Sequence, residues 1–509
     1  MEEMTSRTNA NVNRGISAHC YHPVVIPQPI NIGPRARKEW VRGDFMDSTT
    51  SQKKNGAMLP MTTEEDERLR KANEPARLAI SYHSLYSGKM ETVAKCPVRN
   101  MGDFAIWYTP GVAEPCKAIA KDPSLVYEYT SKWNTVAVVS DGTRVLGLGD
   151  IGPLAGLPVM EGKALLFKYL GGVDAVPVCL GTKDQEQIIQ AVKWMSPSFG
   201  GINLEDISQP KCFHILDRLR SELDIPVWHD DQQGTATIVL AGLMNALKLV
   251  GKRMGEAQIA MIGAGSANIA ISRIIIAAGV DVRKITMTDS KGILDPSRTE
   301  LESEYHEKWY IATHSNAEGK QGKDREAMVG ADVVIAASRP GPGVITKEMV
   351  KAMADDPIVF VTANPVPEIW PWEAHEAGAI IVATGRSDFP NQVNNSLVFP
   401  AVFRGALDVR ASHITDEMCL AAARELALVA EEKGLRPDRI VPSMDDWEAF
   451  PRQAAAIGMM AIEQGLARKP YSRHQLLERA TAIIDRSRRE TKAMMDNGFI
   501  APVPGAMRK

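Results

Sequence analysis

Apolar and polar positions along this chain follow two periods, and the switching between them lays out its elements. EEDERLRKANEPARLAISYHSLYSGK spaces its apolar residues as a helix does and stops at Gly88. WYTPGVAEPCKAIAKDP predicts a turn and then a short helix. NTVAVVSDG and RVLGLGDIG read as two strands joined by an Asp-Gly turn, a hairpin signal. VMEGKALLFKYLGG follows as a helix closed by glycines, and DAVPVCL as a buried strand. The helix TKDQEQIIQAVKWMSPSF, the strand GGINLED, the helix CFHILDRLRSEL and the strand IPVWHDD complete this stretch. Strands alternating with helices imply a parallel sheet, and such sheets bind ligands at the carboxyl ends of their strands.

The apolar helix GTATIVLAGLMNALKLVG is expected to link this region to a second one. There QIAMIGAGSANIAISRIIIAAGV predicts strand, glycine turn and helix, and KITMTDS, ADVVIAAS, PIVFVTANP and AIIVATG are four further strands. After about Thr415 three helical stretches follow, expected to pack back on the second domain. The fold class is therefore α/β: an N-terminal α/β catalytic domain, a Rossmann-type doubly wound NAD(P)-binding domain, and a helical C-terminal segment. The expected boundaries are 61–231, 232–470 and 471–509. Residues 1–60, with the Pro-rich VVIPQPINIGPRARK and the polar STTSQKKNG, are expected to form a flexible tail or an interface arm.

Bulk properties narrow the function classes. A chain of 509 residues is too long for one core. Its net charge of -3 supplies no global field for nucleic acid or an anionic membrane. Six scattered cysteines, without a Cys-x-x-Cys pair, argue against a disulfide framework or a thiolate metal site. No run is long enough to cross a membrane, and Met1-Glu2-Glu3 opens no export signal, so a cytoplasmic protein is expected.

Two adjacent acid pairs, Glu205-Asp206 and Asp230-Asp231, end two neighbouring predicted strands. One such Asp would cap a helix. Two pairs at one sheet edge point to a hard divalent cation, Mg²⁺ or Mn²⁺, which three carboxylates suffice to hold. His229 is read as structural, since oxygens dominate its surroundings. The glycine turn Gly263-Ala264-Gly265-Ser266-Ala267-Asn268 follows a strand and opens a helix, the context of a dinucleotide fingerprint. Asp289 ends the next strand, where an acid accepts from the adenosine ribose hydroxyls; this leans towards NAD. Lys291, Arg283 and Lys284 lie close enough in sequence to offer a 2′-phosphate site for NADP instead.

Lys163 lies near the start of an apolar helix, either snorkelling or functional; burial beside a metal would lower its pKa towards that of a base. Tyr108 precedes a Pro-Gly turn that fixes its position, for packing or for chemistry. Arg144 begins a predicted strand and is placed to clamp a carboxylate. Asn364 and the pair Asn394-Asn395 lie in loops at the cofactor edge, within reach of nicotinamide or substrate.

Nine ordered motifs then carry a family resemblance: YTPGVA, TRVLGLGDIG, PVMEGKALLFK, GINLEDI, HDDQQGTA, GAGSANIA, TDSKGI, TANPVPEI and FPNQVNNSLVFP. From about Asn73 to about Gly465 the chain resembles the malic enzymes, especially the shorter bacterial type without a phosphotransacetylase-like domain. The resemblance implies oxidative decarboxylation of L-malate to pyruvate and CO₂ with NAD(P) and Mg²⁺ or Mn²⁺. It casts Tyr108 as general acid and Lys163 as general base, with Asp230 supporting the lysine. It casts Glu205, Asp206 and Asp231 as metal ligands, and Arg144, Asn364 and Asn395 as substrate contacts. Asn268 departs from the small residue usual in relatives. A homodimer or homotetramer is expected by analogy. The alternatives are a malolactic or oxaloacetate-decarboxylating enzyme on the same scaffold, a non-catalytic nucleotide-binding relative, and an amino-acid dehydrogenase, whose chemistry needs no metal.

Overall fold

The computed structural model describes residues 63–503, so the proposed 1–60 arm lies outside the described residues. Helices shorter than nine residues are named by range. The first described helix, α1 (Thr63–Tyr86), carries Pro75 in its interior. Helix α2 (Ala113–Lys121) follows the Pro-Gly turn as expected. Next come β1 (Thr135–Ser140), α3 (Gly152–Gly171), β2 (Asp174–Cys179), α4 (Gln185–Met195), β3 (Gly201–Leu204), α5 (Lys211–Glu222) and β4 (Val227–His229). These strands form one parallel sheet in the order β2-β1-β3-β4.

Three expectations for this region are corrected. The predicted hairpin does not form: after β1 the chain turns through a loop that holds Arg144, bridged only between Val145 and Gly149. Both sides of β1 are taken by parallel partners, β2 and β3, so no edge remains for a returning strand. β2, read as buried, is one of the sheet's two edge strands, and Val176 is 43% exposed. Lys163 sits in the middle of α3, not near its start.

Helix α6 (Thr235–Leu249), buried along most of its length, leads to the second sheet. There β5 (Ile259–Ile262), α7 (Ser266–Ala277), β6 (Ile285–Asp289), a two-residue β7 (Gly292–Ile293), α8 (His306–His314), β8 (Val333–Ala336), β9 (Ile358–Val361) and β10 (Ile381–Thr384) alternate. The order is β10-β9-β8-β5-β6-β7, parallel except where β7 turns back on β6. The strand order reverses direction at β5, the switch point where open α/β sheets bind their ligands.

Four helices close the chain: α9 (Phe399–Asp408), α10 (Asp416–Glu432), α11 (Ala449–Glu463) and α12 (Arg473–Asp496). The motif reading did not anticipate α9. All ten of its residues are buried, the charged Arg404 and Asp408 included, so its polar positions do not mark a solvent-facing side. Its Phe399 and Phe403 rings lie 4.6 and 5.3 Å from Phe167 of α3. Burying each such ring stabilises the fold by roughly 1.5–3 kcal/mol. The expectation that the C-terminal helices all pack on the second domain also needs correction. α12 lies against α3: Ser487 Oγ donates to the Lys168 carbonyl at 2.8 Å. A continuous buried cluster therefore runs from the first sheet through α6 and α9 to the second.

Candidate active site

β3 and β4 run in register, with Leu204 opposite His229, so the residues that follow them emerge side by side at the carboxyl edge. These residues are the two acid pairs. Asp206 turns through a left-handed conformation, φ 54°, which Asp tolerates better than most residues. The turn gives its carbonyl to the Arg144 N–H at 3.0 Å, and its own N–H to Asp231 Oδ2 at 2.8 Å. Glu205, Asp206 and Asp231 each bring a carboxylate oxygen within 4.8 Å of the others. Glu205 and Asp206 are 2% and 3% exposed, and Asp206 Oδ2 has no hydrogen-bond partner among the described residues.

Such a cluster is electrostatically expensive. Burial, then repulsion between neighbours, pushes the Asp206 carboxyl up to about 8 and raises Glu205 well above its ordinary range. Burial likewise raises Asp230 and Asp231. Buried carboxylates persist when a cation compensates them. The orphaned Asp206 oxygen and the all-oxygen donor set fit a hard divalent ion. His229 is fully buried, and burial lowers it to about 4, so its ring is neutral at neutral pH.

Lys163 is the nearest positive group. Its Nζ is 3.1 Å from Glu205 Oε1 and 3.2 Å from Asn395 Oδ1, contacts Asp230 Oδ2, and lies 4.6 Å over the Phe399 ring. Trp228 Nε1 donates to the other Asp230 oxygen at 3.1 Å, so Asp230 is fixed on both sides. Burial alone would favour the neutral amine, yet Asp230, Glu205 and Asp231 together raise the Lys163 pKa. The lowered pKa expected for Lys163 is therefore not found: the neighbouring carboxylates outweigh burial.

The other candidates divide. Arg144 is exposed on its loop, and its charge reaches Asp231. Asn395 joins Lys163 directly. Asn394 commits its amide to the backbone: Nδ2 donates to the Gly385 carbonyl at 2.8 Å, and Oδ1 accepts from the Ser396 N–H at 2.9 Å. Asn364 lies in the loop after β9. A Cβ on Gly147 would collide with its carbonyl and with Pro340, so the Arg144 loop meets the second sheet's edge there. Tyr108 is 69% exposed, and the structure does not bring it to Lys163. It stands among Met101, Phe104, Ile106 and Trp107, all exposed.

At the second sheet, Gly263 takes φ 93° and Gly265 precedes the first turn of α7, followed by partly exposed Ser266 and Ala267. Asn268 is fully buried, and its Nδ2 donates to the carbonyls of Ile262 and Gly263 at 3.0 and 2.6 Å. It thus braces the glycine turn from behind rather than obstructing it. Asp289 ends β6, but two of the cations read beside it do not face it. Arg283 pairs with Asp281 at 2.6 Å, and Lys284 donates to the Glu256 carbonyl, both at the opposite end of β6.

The residue that meets Asp289 is Arg298, whose Nη1 and Nη2 lie 3.2 and 3.0 Å from its two oxygens. Burial opposes ionisation of Asp289, but this fork and the Lys291 N–H hold its pKa below the usual carboxylate range. Sequence reading missed Arg298, which lies nine positions on in an irregular loop without a motif. It also missed Glu368, fully buried, which accepts from the N–H groups of Ser338 and Ala363 at 3.0 and 3.1 Å and ties the loops after β8 and β9 together. Burial pushes its carboxyl up to about 7.

Known proteins resemble this chain over both of its domains. Residues 87–220 match the family described as malic enzyme, N-terminal domain, and residues 232–462 match malic enzyme, NAD binding domain. A bifunctional malic/malolactic enzyme of Bacillus subtilis is 50% identical over 401 residues, covering 79% of this chain and 96% of that protein. An NAD-dependent malic enzyme of Geobacillus stearothermophilus is 52% identical over 382 residues, 75% of this chain and 78% of the relative. An NADP-dependent malic enzyme of Halomonas elongata is 41% identical, covering 79% of this chain and 96% of its own. The crystal structure of Entamoeba histolytica malic enzyme superposes with a TM-score of 0.85 at 47% identity, covering 87% of this chain and 93% of that one. With both domains matched and the acid edge, lysine and glycine turn in place, this chain belongs to the malic enzyme family.

Proposed function

We propose that this chain catalyses the oxidative decarboxylation of L-malate to pyruvate and CO₂, reducing NAD(P) and depending on Mg²⁺ or Mn²⁺. The observation that carries the reading is the convergence of Lys163 with three carboxylates, two of them buried, at one sheet edge. Glu205, Asp206 and Asp231 would hold the ion. When bound, NAD(P) would supply the hydride acceptor for C2, and the divalent ion would supply Lewis-acid charge that also offsets the carboxylates' hold on Lys163.

The protein's own groups then have separate tasks. Lys163 takes the proton of the C2 hydroxyl, and Asp230, steadied by Trp228, sets the direction of its Nζ. Arg144 and Asn395 orient the substrate carboxylates, with Asn364 on the nicotinamide side. The C3–C4 bond breaks with release of CO₂, and its electron pair passes into the enolate of pyruvate. Tyr108 donates the proton that C3 then takes. Because Tyr108 stands on an exposed apolar edge, the working form is expected to be a homodimer or homotetramer in which a second copy covers that edge.

The test is to follow reduced nicotinamide by absorbance with malate and Mn²⁺, comparing NAD with NADP. No reduction with either would sink the proposal. The Bacillus subtilis relative's name favours one second reading, malolactic turnover, which consumes malate without net NAD(P)H. Tyr108→Phe is expected to lower kcat by about 10²–10⁴-fold, the usual worth of a positioned acid. Wild-type turnover would remove Tyr108 from the mechanism.

For the cofactor, Asp289 favours NAD through the ribose hydroxyls, and its pairing with Arg298 tempers its repulsion of a 2′-phosphate. Arg298→Ala is expected to raise KM for NADP by about tenfold relative to NAD, one charge-assisted contact's worth. An unchanged ratio would mean that Arg298 only holds the loop. With no described helix long and apolar enough to cross a membrane, a cytoplasmic enzyme acting on small metabolites is the proposed setting.

A further inference from the structure

A second charged cavity, of about 160 Å³, opens between the Val126–Tyr129 turn, the C-terminal end of α9 and the side of α12. Arg410, Lys469 and Arg479 line it, together with Glu128 and Asp408. The cations are not matched one for one. Glu128 serves both Arg410 and Lys469, the latter at 3.7 Å. Asp408, 3% exposed, serves both Arg479 at 2.7 Å and the fully buried Arg404 at 2.9 Å. Four cations thus share two carboxylates, leaving two positive charges over. Three of the four are guanidiniums, which cannot shed the excess by losing a proton.

The aromatic floor adds no negative charge of its own. Arg404 and Arg479 stack over Trp133 at 5.6 and 5.5 Å, and Arg410 over Tyr127 at 5.2 Å, which fixes the guanidiniums in place. Lys132 also approaches Tyr127, at 5.5 Å, and the charge of Arg468 adds to its burial in lowering its pKa to about 8. The C-terminal end of α9 contributes roughly half a negative charge, less than Arg410 alone returns. A cavity of this size holds several waters, and so a small anion.

We propose that this cavity binds a small dianion, an inorganic phosphate or a short dicarboxylate, and that its occupancy is transmitted to Lys163 through α9. The ten residues of α9 form one unbroken, fully buried helix. One end carries Asp408 in the cavity wall; the other begins with Phe399, over whose ring Lys163 lies, one short turn after Asn395. An anion that draws Arg410 and Arg479 inward loosens their hold on Glu128 and Asp408, and so alters what anchors the far end of the helix. Binding itself is independent of the proposed reaction; only the coupling presupposes it.

The experiment is calorimetric titration of the full-length protein with inorganic phosphate and, separately, with succinate. Saturable binding of at least one is expected, weakened about tenfold or more in an Arg410→Gln/Lys469→Gln double variant. Glu128→Gln removes a competing charge and is expected to tighten binding about threefold or more, a gain that misfolding does not produce. In the enzyme assay, the bound anion is expected to shift the half-saturating malate concentration in the wild type and not in the double variant. Phosphate alone or succinate alone identifies the class. Absence of binding by both, or affinity equal in all three proteins, would overturn the site; succinate binding untouched by the double variant belongs to the malate site and counts against the dicarboxylate. Binding without any shift in malate half-saturation would overturn the coupling.

Discussion

Lys163→Ala is expected to lower turnover by about 10²–10⁴-fold, with a loss of charge at the acid cluster in addition. Three features of its surroundings support so large a value. Its Nζ is held by Asp230, whose other oxygen is bound by Trp228, so the amine is aimed rather than merely present. It is 11% exposed, which leaves little room for water to replace it as base. It also faces Asn395 and the Phe399 ring, so it works at the junction of both domains. Loss of the cation would in addition leave Asp230 and Glu205 without a counter-charge, and some destabilisation is expected. Lys163→Arg separates the two effects: it keeps the charge, holds a proton too tightly to act as a base, and is expected to fold while remaining inactive. Steady-state kcat with malate and Mn²⁺ decides the matter. Near wild-type kcat in the alanine variant would remove the lysine from the chemistry.

Much of this site was legible because parallel α/β architecture turns sequence order into geometry. Once strands and helices alternate, residues just past consecutive strands converge on one edge, and Glu205-Asp206 and Asp230-Asp231 do so through the register of Leu204 with His229. The glycine turn was legible for the same reason. What escaped reading depends on contacts between distant segments. The Asp-Gly pair after β1 carries a good hairpin signal, yet pairing is settled by which neighbours fill the sheet, and β2 and β3 had already filled both sides. Helix α9 buries even its charged residues, Arg404 and Asp408, so its pattern does not tell which side meets solvent. Arg298 and Glu368 sit in loops where no periodicity marks them, and only the fold brings them against Asp289 and Ser338. The charge state of Lys163 is of this kind too: burial argued for a lowered pKa, but three carboxylates from two other strand ends reverse the sign.

Asp231→Ala is expected to weaken Mn²⁺ activation by at least about 100-fold, more than the 10–100-fold typical of losing a residue that only supports a ligand. Of the three carboxylates it is the most accessible, at 32% side-chain exposure against 2% for Glu205, so its loss disturbs packing least. Its structural task is a single hydrogen bond, accepting the Asp206 N–H at 2.8 Å. Asp231→Asn retains an acceptor oxygen for that bond and discards the charge, so the two substitutions separate turn from ligand. If Asp231 serves the ion, both variants lose Mn²⁺ affinity. If it serves only the Asp206 turn, asparagine restores what alanine removes. A third consequence follows from electrostatics: with one repelling carboxylate gone, Asp206 and Glu205 are relieved, so the metal-free protein is expected to be more stable than the wild type even as it becomes a poorer enzyme. Thermal unfolding with and without Mn²⁺ reads both effects, since an ion that binds only the folded state stabilises in proportion to its affinity. A wild-type Mn²⁺ stabilisation in Asp231→Ala would place the ion elsewhere. A drop in metal-free stability would mean that Asp231 stabilises the cluster by itself, which counts against its proposed role as a metal ligand.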